Sequence, residues 1–306
     1  MCYNASMTLL PEKISLAFPR RPDDLHKHTS GTVTIVGGSH RFVHAPAIAG
    51  LGARAAGAGL VHLVVPDASR IPAAVLVPEA TFLKQTAACV PPKADVTAIG
   101  MGLGISAAAE MLVSRLLSGS AGRFVLDADA LSILANWYAR KATALPVPEE
   151  QTRVLTPHAG EAARLLDCRA ETIQADRATA LRRLVERYRA TVVLKGPHTL
   201  VGTPDSDEIF TCPVGNPFMA MGGMGDLLSG ILAARWAYLA HQLPTADIPP
   251  HRLAFLAASS AVWLHAAAPD ALVGAEPPED PSLVHTARKV ASLRVQLERT
   301  SPNGQP

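Results

Sequence analysis

Gly215-Asn216-Pro217-Phe218-Met219-Ala220-Met221-Gly222-Gly223-Met224-Gly225-Asp226 runs directly into the apolar segment Leu227-Leu228-Ser229-Gly230-Ile231-Leu232. The stretch reads as a glycine-rich turn that opens a helix, with a carboxylate in the helix's first turn. Free backbone N–H groups at a helix start, together with the positive end of its dipole, favour an anion such as phosphate. Glycine lets the backbone approach that anion closely. Asp226 follows at once, placed to take the proton of a hydroxyl beside the phosphate. A cradle plus a base points to phosphoryl-transfer chemistry.

Upstream of this stretch the chain alternates strand-like and helix-like segments, the pattern of a mainly parallel sheet with helices on both faces. Strands are expected at Thr32–Val36, Leu60–Val65, Val96–Ile99, Phe124–Leu126, Arg153–Leu155 and Thr191–Leu194. Helices are expected over Ala45–Ala58, Ala107–Leu117 and Ala159–Leu166. Residues 174–189 carry Ala178, Leu181, Leu184, Val185 and Tyr188 at helical spacing, so one face is buried. The arginines of that helix (Arg177, Arg182, Arg183, Arg187, Arg189) read as a mostly outer, solvated face rather than a nucleic-acid surface. Thr199–Val201 and Glu208–Cys212 suggest an antiparallel hairpin around Thr203–Asp205. Three long helices near 224–240, 250–267 and 281–298 close the chain, and residues 141–150 read as a loop. With no internal repeat and no dividing linker, one domain is expected over 25–299. It follows an N-terminal extension (1–24) and precedes a flexible tail (300–306).

Composition excludes several classes. A chain of 306 residues, 48% of them hydrophobic, can bury a large core. The formal charge of +2, from 28 Lys+Arg and 26 Asp+Glu, is too balanced to imply nucleic acid or an acidic membrane surface. Cys2, Cys89, Cys168 and Cys212 make no CxxC pair, which argues against a disulfide framework or a zinc site and fits a reducing cytosol. Residues 1–20 lack the basic start and long apolar centre of a signal peptide. No window offers the ~20 uncharged apolar residues of a membrane span. A soluble, cytoplasmic protein is expected.

The remaining distinctive segments fall at expected strand ends, where open α/β sheets gather their ligands. Gly37-Gly38-Ser39 is either an anion-binding nest or an ordinary tight turn. Gly100-Met101-Gly102-Leu103-Gly104 has GxGxG spacing, not the GxGxxG of a dinucleotide fingerprint, and no GxxxxGK[ST] phosphate loop is present. Asp129 reads first as a helix cap. Asp127, nearer the strand end, has the better claim on a ligand or a metal-bound water. Glu161, in the first turn after Thr156-Pro157-His158, is either a partner of the helix dipole or a carboxylate holding hydrated magnesium. Lys195-Gly196 brings a cation out beside flexible backbone, as a nucleotide contact or a plain surface lysine.

Taken in order, GGS, HAPAIAGLGARAAGAGLV, GMGLG, VLDADAL, LTPHAGE, VLKGPHTL and GNPFMAMGGMGDLLSGI closely resemble the ADP-dependent NAD(P)H-hydrate dehydratases of the ribokinase-like superfamily. The resemblance covers roughly residues 25–270. It implies a ribokinase-like three-layer α/β/α fold and repair of nicotinamide cofactors damaged by hydration. The S hydrate of NADH or NADPH (NADHX, NADPHX) would be dehydrated at the expense of ADP, giving the reduced cofactor, AMP and phosphate. The ring hydroxyl would be phosphorylated first and phosphate then eliminated, because phosphate leaves far more readily than water.

The resemblance also assigns roles. Asp226 would be the base on the substrate hydroxyl, and the N–H groups around Gly223, Met224 and Gly225 would form the anion hole. Ala45, Gly104, His158 and Asp226 would contact the hydrated cofactor. Lys195, Gly196, Pro197, His198, Thr199 and Gly225 would contact ADP or AMP, and Glu161 would organise Mg2+ through water. A homotetramer is implied, with hydrate epimerisation left to a separate epimerase. The chain departs from the family pattern at His44, Phe218, Met221 and Met224, where smaller residues are usual. Two rivals remain at this stage: a vitamin-precursor kinase of the same superfamily, and a nucleotide-binding protein without catalysis.

Overall fold

In the computed structural model, residues 11–300 are described apart from 120, 140–150 and 244–246. The expected loop at 141–150 and the tail beyond Thr300 therefore lie outside the described residues. Nine strands form one sheet: β1 Thr32–Val36, β2 Leu60–Val65, β3 Thr81–Lys84, β4 Val96–Ile99, β5 Gly122–Leu126, β6 Gln151–Leu155, β7 Thr191–Leu194, β8 Leu200–Gly202 and β9 Phe210–Thr211. The helices are α1 Ala45–Ala55, α2 Asp67–Leu76, α3 Ala107–Ser118, α4 Asp129–Ala139, α5 Ala159–Leu166, α6 Ala170–Ala175, α7 Arg177–Tyr188, α8 Met224–Gln242, α9 Pro250–Val273 and α10 Leu283–Thr300.

The sheet order is β3-β2-β1-β4-β5-β6-β7-β8-β9, parallel as far as β7 and antiparallel in the last two pairings. Strand order reverses between β1 and β4, which opens a crevice at their carboxyl ends. Both faces are covered, so the strands are apolar runs rather than alternating ones. On one face Val33, Ile35, Leu63, Val125 and Val154 pack with α1, α8, α9 and α10. On the other, Val36, Ile99, Leu126 and Leu155 pack with α3, α4, α5 and α7.

Helices α1 and α8 meet without side chains between them. A Cβ at Gly230 would lie 1.8 Å from the Ala49 carbonyl oxygen, and one at Gly52 would lie 2.3 Å from that of Leu227. The small residues of HAPAIAGLGARA are thus a contact surface for the helix that carries the glycine-rich turn. Helix α9 is long and apolar enough to cross a membrane, yet 83% of its most apolar window is buried inside the fold. It is the core helix behind α8.

Three features were not legible in the pattern. Helix α2 and edge strand β3 occupy a region left unassigned, and the helix expected over 174–189 is broken at Asp176. Asp176 caps α7 by accepting the N–H of Thr179 at 2.9 Å. The segment before residue 25 packs into the first core through Ile14, Ala17 and Phe18.

Candidate active site

The carboxyl ends of the parallel strands β1 to β7 lie along one edge of the sheet, where they meet the start of α8. At its centre the Asp127 carboxylate, which ends β5, uses both oxygens internally. Oδ1 accepts from Lys195 Nζ at 2.8 Å, and Oδ2 accepts from Ser229 Oγ at 2.7 Å. One buried carboxylate thereby ties β5 to β7 and to the second turn of α8. Burial opposes its ionisation. The Lys195 charge and hydrogen bonds from Lys195, Ser229 and Thr156 outweigh that and hold its pKa below the usual carboxylate range. Lys195 is the mirror case: burial works against its charge, but Asp127 and then Glu161 keep its pKa above that of a free lysine. Asp127 is therefore committed to positioning Lys195 and α8, and is not the open ligand its sequence position suggested.

Helix α8 begins at Met224, with Gly223 as its N-cap at φ +92 and no side-chain cap. Its backbone ladder starts with Leu227 N–H to Gly223 carbonyl at 2.9 Å, so the N–H groups of Met224, Gly225 and Asp226 are the orphan donors of the first turn. A Cβ at Gly225 would lie 3.4 Å from Lys195 Nζ and 4.0 Å from Asp127 Oδ2, so the ammonium stands beside these donors. Around Gly222 a Cβ would meet nothing within 4 Å. The uncapped helix start thus opens onto free space with a cation at its side. Such an arrangement favours an anion.

Asp226 sits in the same turn. Burial, followed by repulsion from Asp127, pushes its carboxyl up to about 7 despite the attraction of Lys195. A carboxylate poised near neutrality is suited to general-base work. Behind the turn lies His265 of α9. Burial pushes this imidazole down to about 4, so it stays neutral, with its ring facing the Met224 backbone.

The other expected residues are distributed around this centre. Lys195 to Thr199 form the β7–β8 turn, held by Lys195 N–H to Pro157 carbonyl at 2.8 Å and Thr199 Oγ1 to Gly196 carbonyl at 3.0 Å. Arg177 is not on a solvated face. Its guanidinium donates to the Leu194 carbonyl at 2.9 Å and covers Gly196, leaving no room for a side chain there. Ala45 is the first residue of α1 and packs beside Gly102 and Phe42. The Gly104 N–H is taken by Asp129 Oδ2 at 2.7 Å, so Asp129 ties the loop after β4 to α4. Phe218 and Phe42 are both exposed near the opening, at 60% and 48%.

His158 and Glu161 form a reciprocal capping box at the start of α5. The His158 ring accepts from the Gly160 and Glu161 N–H groups, and Glu161 Oε2 accepts the His158 N–H at 2.8 Å. Oε2 also lies 3.7 Å from Lys195 Nζ. Among the described residues no group of three His, Cys, Asp or Glu side chains is placed to hold a metal ion. This donor set fits magnesium carried mainly by phosphate and water, with Glu161 as an outer partner.

A cavity of about 680 Å³ lies between α7 and the 202–209 segment, at the amino end of β7 and away from these groups. It gathers no base beside an anion cradle. Sequence reasoning missed Ser229 and Asp270. Asp270, in α9, accepts from Gly215 N–H at 2.8 Å and from Asn216 Nδ2 at 2.6 Å. No sequence signal links it to a turn more than 50 residues earlier.

Residues 33–283 match the family model described as NAD(P)H-hydrate dehydratase. The chain is 36% identical over 258 residues to the ADP-dependent (S)-NAD(P)H-hydrate dehydratase of Neisseria meningitidis, covering 83% of this chain and 81% of that protein. It is 37% identical to the bifunctional NAD(P)H-hydrate repair enzyme Nnr of Vibrio cholerae over 82% of its own length, and spans about half of that longer protein (47%). Among solved structures, the ADP/ATP-dependent NAD(P)H-hydrate dehydratase of Bacillus subtilis, co-crystallised with ATP and Mg2+, superposes with a TM-score of 0.76 at 25% identity, covering 93% of this chain and 96% of that one. A ribokinase-like superfamily protein of Enterococcus faecalis superposes with a TM-score of 0.75, also at 25% identity, over 97% and 96%. The sheet order, the helical layers and these neighbours make the fold ribokinase-like. Since the match runs through every strand end that meets α8, this chain belongs to the NAD(P)H-hydrate dehydratase family.

Proposed function

We propose that the chain is an ADP-dependent (S)-NAD(P)H-hydrate dehydratase, a hydro-lyase that returns hydrated NADH or NADPH to the reduced cofactor with release of AMP and phosphate. The observation that carries this reading is the uncapped start of α8, with Lys195 beside it and Asp226, pushed up to about 7, in its first turn. Asp226 takes the proton of the ring hydroxyl as the terminal phosphoryl group of ADP transfers to that oxygen. The N–H groups at Gly223, Met224 and Gly225 and the Lys195 ammonium stabilise the charge on the moving group. The lone pair of the ring nitrogen then expels phosphate, and loss of the neighbouring ring proton restores the double bond. Water would be a poor leaving group in that step and phosphate is a good one.

Lys195 to Thr199 with Gly225 hold the nucleotide, while Ala45, Gly104 and His158 line the groove for the hydrated dinucleotide. Bound Mg2+ would neutralise phosphate charge, with Glu161 reached through water. Residues 25–299 form the catalytic unit, as a cytoplasmic homotetramer. Epimerisation of the R hydrate would be supplied by a separate epimerase.

The test is incubation with ADP and hydrated NADH, followed by the near-ultraviolet absorbance of the reduced ring and by AMP release. Recovery of absorbance with equimolar AMP is expected. Phosphorylation of a vitamin alcohol by ATP without cofactor recovery would indicate a kinase, and ADP binding without turnover a non-catalytic protein. Asp226→Asn should keep ADP binding and lose about 10²–10⁴ in turnover, the usual scale for a general base.

A further inference from the structure

Resting on this assignment of the cradle, we propose that Asp270 is a positioning residue that latches the entry of the glycine-rich turn and so sets the geometry of the phosphate site. Its carboxylate is fully engaged by that turn. Oδ2 accepts the Gly215 N–H at 2.8 Å, and Oδ1 accepts Asn216 Nδ2 at 2.6 Å. Asn216 passes the constraint on, since its own Oδ1 accepts the Phe218 N–H at 3.0 Å and caps the 3₁₀ turn Pro217–Met219. Asp270 sits near the end of α9, whose body is buried behind α8. The latch therefore refers the turn to the rigid core.

The turn is hinged at both ends. Gly215 has φ +121 and Gly223 φ +92, values that L side chains rarely adopt. The far hinge is pinned by packing, with Ile48 and Leu283 closed against Gly223. The near hinge is packed more loosely: a Cβ at Gly215 would lie 3.3 Å from Met219 Sδ and 3.5 Å from Ala266 Cβ, with Val214 beside it partly buried against the core. It is held by the Asp270 carboxylate. Between the hinges Met219 packs against the core, while Phe218 is 60% exposed and Met221 36%, so burial anchors the span only in part. Without the latch, the segment leading into the orphan N–H groups of Met224 and Gly225 loses its polar anchor at the near end and keeps only the looser packing of Val214 and Met219 there.

The hydrogen-bond pattern defines a test that burial alone would not. Asp270→Asn turns one acceptor into a donor facing the Asn216 amide. Asn216→Asp sets two carboxylates against each other. The reciprocal pair Asn216→Asp/Asp270→Asn restores every bond: residue 216 accepts from Phe218 N–H and from the new amide at 270, which still accepts from Gly215. Isothermal titration with ADP, and kcat/KM with hydrated NADH, should show each single variant weakened about 10–100-fold, as expected for charged hydrogen bonds. The reciprocal variant should return to within about threefold of wild type. Far-UV circular dichroism and melting temperature should stay near wild type. If Asp270→Asn does not fold, Asn216→Ala, which removes the amide without adding a repulsive contact, carries the same expectation for ADP affinity. Single variants that bind ADP as wild type does, or a reciprocal variant no better than the worse single, would overturn the latch. Wild-type protein that binds ADP but dehydrates nothing would overturn the functional assignment, while ADP affinity would still decide the latch.

Discussion

Asp226 is pulled in two directions, and the balance sets how the site responds to pH. Burial and the Asp127 charge raise its pKa, and Lys195 opposes them, leaving it at about 7. Turnover should therefore rise with pH through an inflection near 7. Lys195 adds no descending limb at neutral pH, since its pKa is held above the usual lysine value. Asp127→Asn removes the repulsion and frees the Lys195 charge for its other neighbours, so the inflection in kcat/KM should move below that of wild type. An unmoved inflection would show that Asp127 does not tune the base. The same shift costs stability. A carboxyl whose folded pKa is raised from 3.8 to about 7 binds more protons folded than unfolded in that window. Its unfavourable contribution is absent below about pH 4 and complete above about pH 7. Asp226→Asn should then be more stable than wild type at pH 8, on the order of 1–3 kcal/mol, with little difference at pH 4. Urea unfolding at the two pH values checks the sign.

The elements hold the cradle by the closeness of their backbones, and the decisive contact is between α1 and α8. Helix propensity alone favours Gly230→Ala by about 1 kcal/mol. A methyl there would sit 1.8 Å from Ala49 O and 2.9 Å from Ala53 N, both backbone atoms that no rotamer change can move. Forcing the helices apart in a packed core typically costs about 1–3 kcal/mol and sometimes more. Gly230→Ala should thus be destabilised by up to about 2 kcal/mol net and should weaken ADP binding, because Gly230 lies only about one helical turn beyond the orphan N–H groups. The sequence made the helices and parallel strands legible where apolar residues keep one period or run continuously, as in β1, β2, β4 and α5. It did not reveal β3, a four-residue edge strand with both ends exposed, or α2, which carries Pro72 in its interior. Nor did it reveal what the carboxylates do. The placement of Gly225 and Asp226 in the first turn of a helix and of Lys195 at a strand end was legible from their local setting. The tasks of Asp127, Asp129 and Asp270 depend on partners 102, 25 and 55 residues away in the chain.

At the scale of the whole molecule, the segment ahead of β1 and the last helix, α10, are joined through a buried charge cluster beneath α8. Arg235, fully buried in an otherwise apolar stretch of that helix, donates to Glu298 Oε1 of α10 at 2.5 Å and to the Ala17 carbonyl. Arg294 donates to Glu298 Oε2 at 2.6 Å and Arg21 approaches the same oxygen at 3.9 Å, so one carboxylate faces three guanidinium groups. The Arg235 guanidinium also lies 4.8 Å from the Phe18 ring centroid and 5.2 Å from that of Tyr238. Burying such a set gains little over well-packed apolar residues, but removing one partner strands the others in a medium that cannot solvate them. Glu298→Gln leaves Arg235 without a counter-charge and should cost about 3–5 kcal/mol in urea unfolding. The loss should not spread evenly. Arg235 adds a polar anchor to the core packing of Ala17 and Phe18, holding the Ala17 carbonyl and lying over the Phe18 ring, so amide exchange in residues 14–18 should accelerate more than in β4 or β5. The active-site end of α8 is held separately by Ser229 and Gly230, so ADP affinity should change little while the protein remains folded. A variant that lost ADP binding in step with its stability would show α8 to be a single rigid unit, and the separation of its two ends would be wrong.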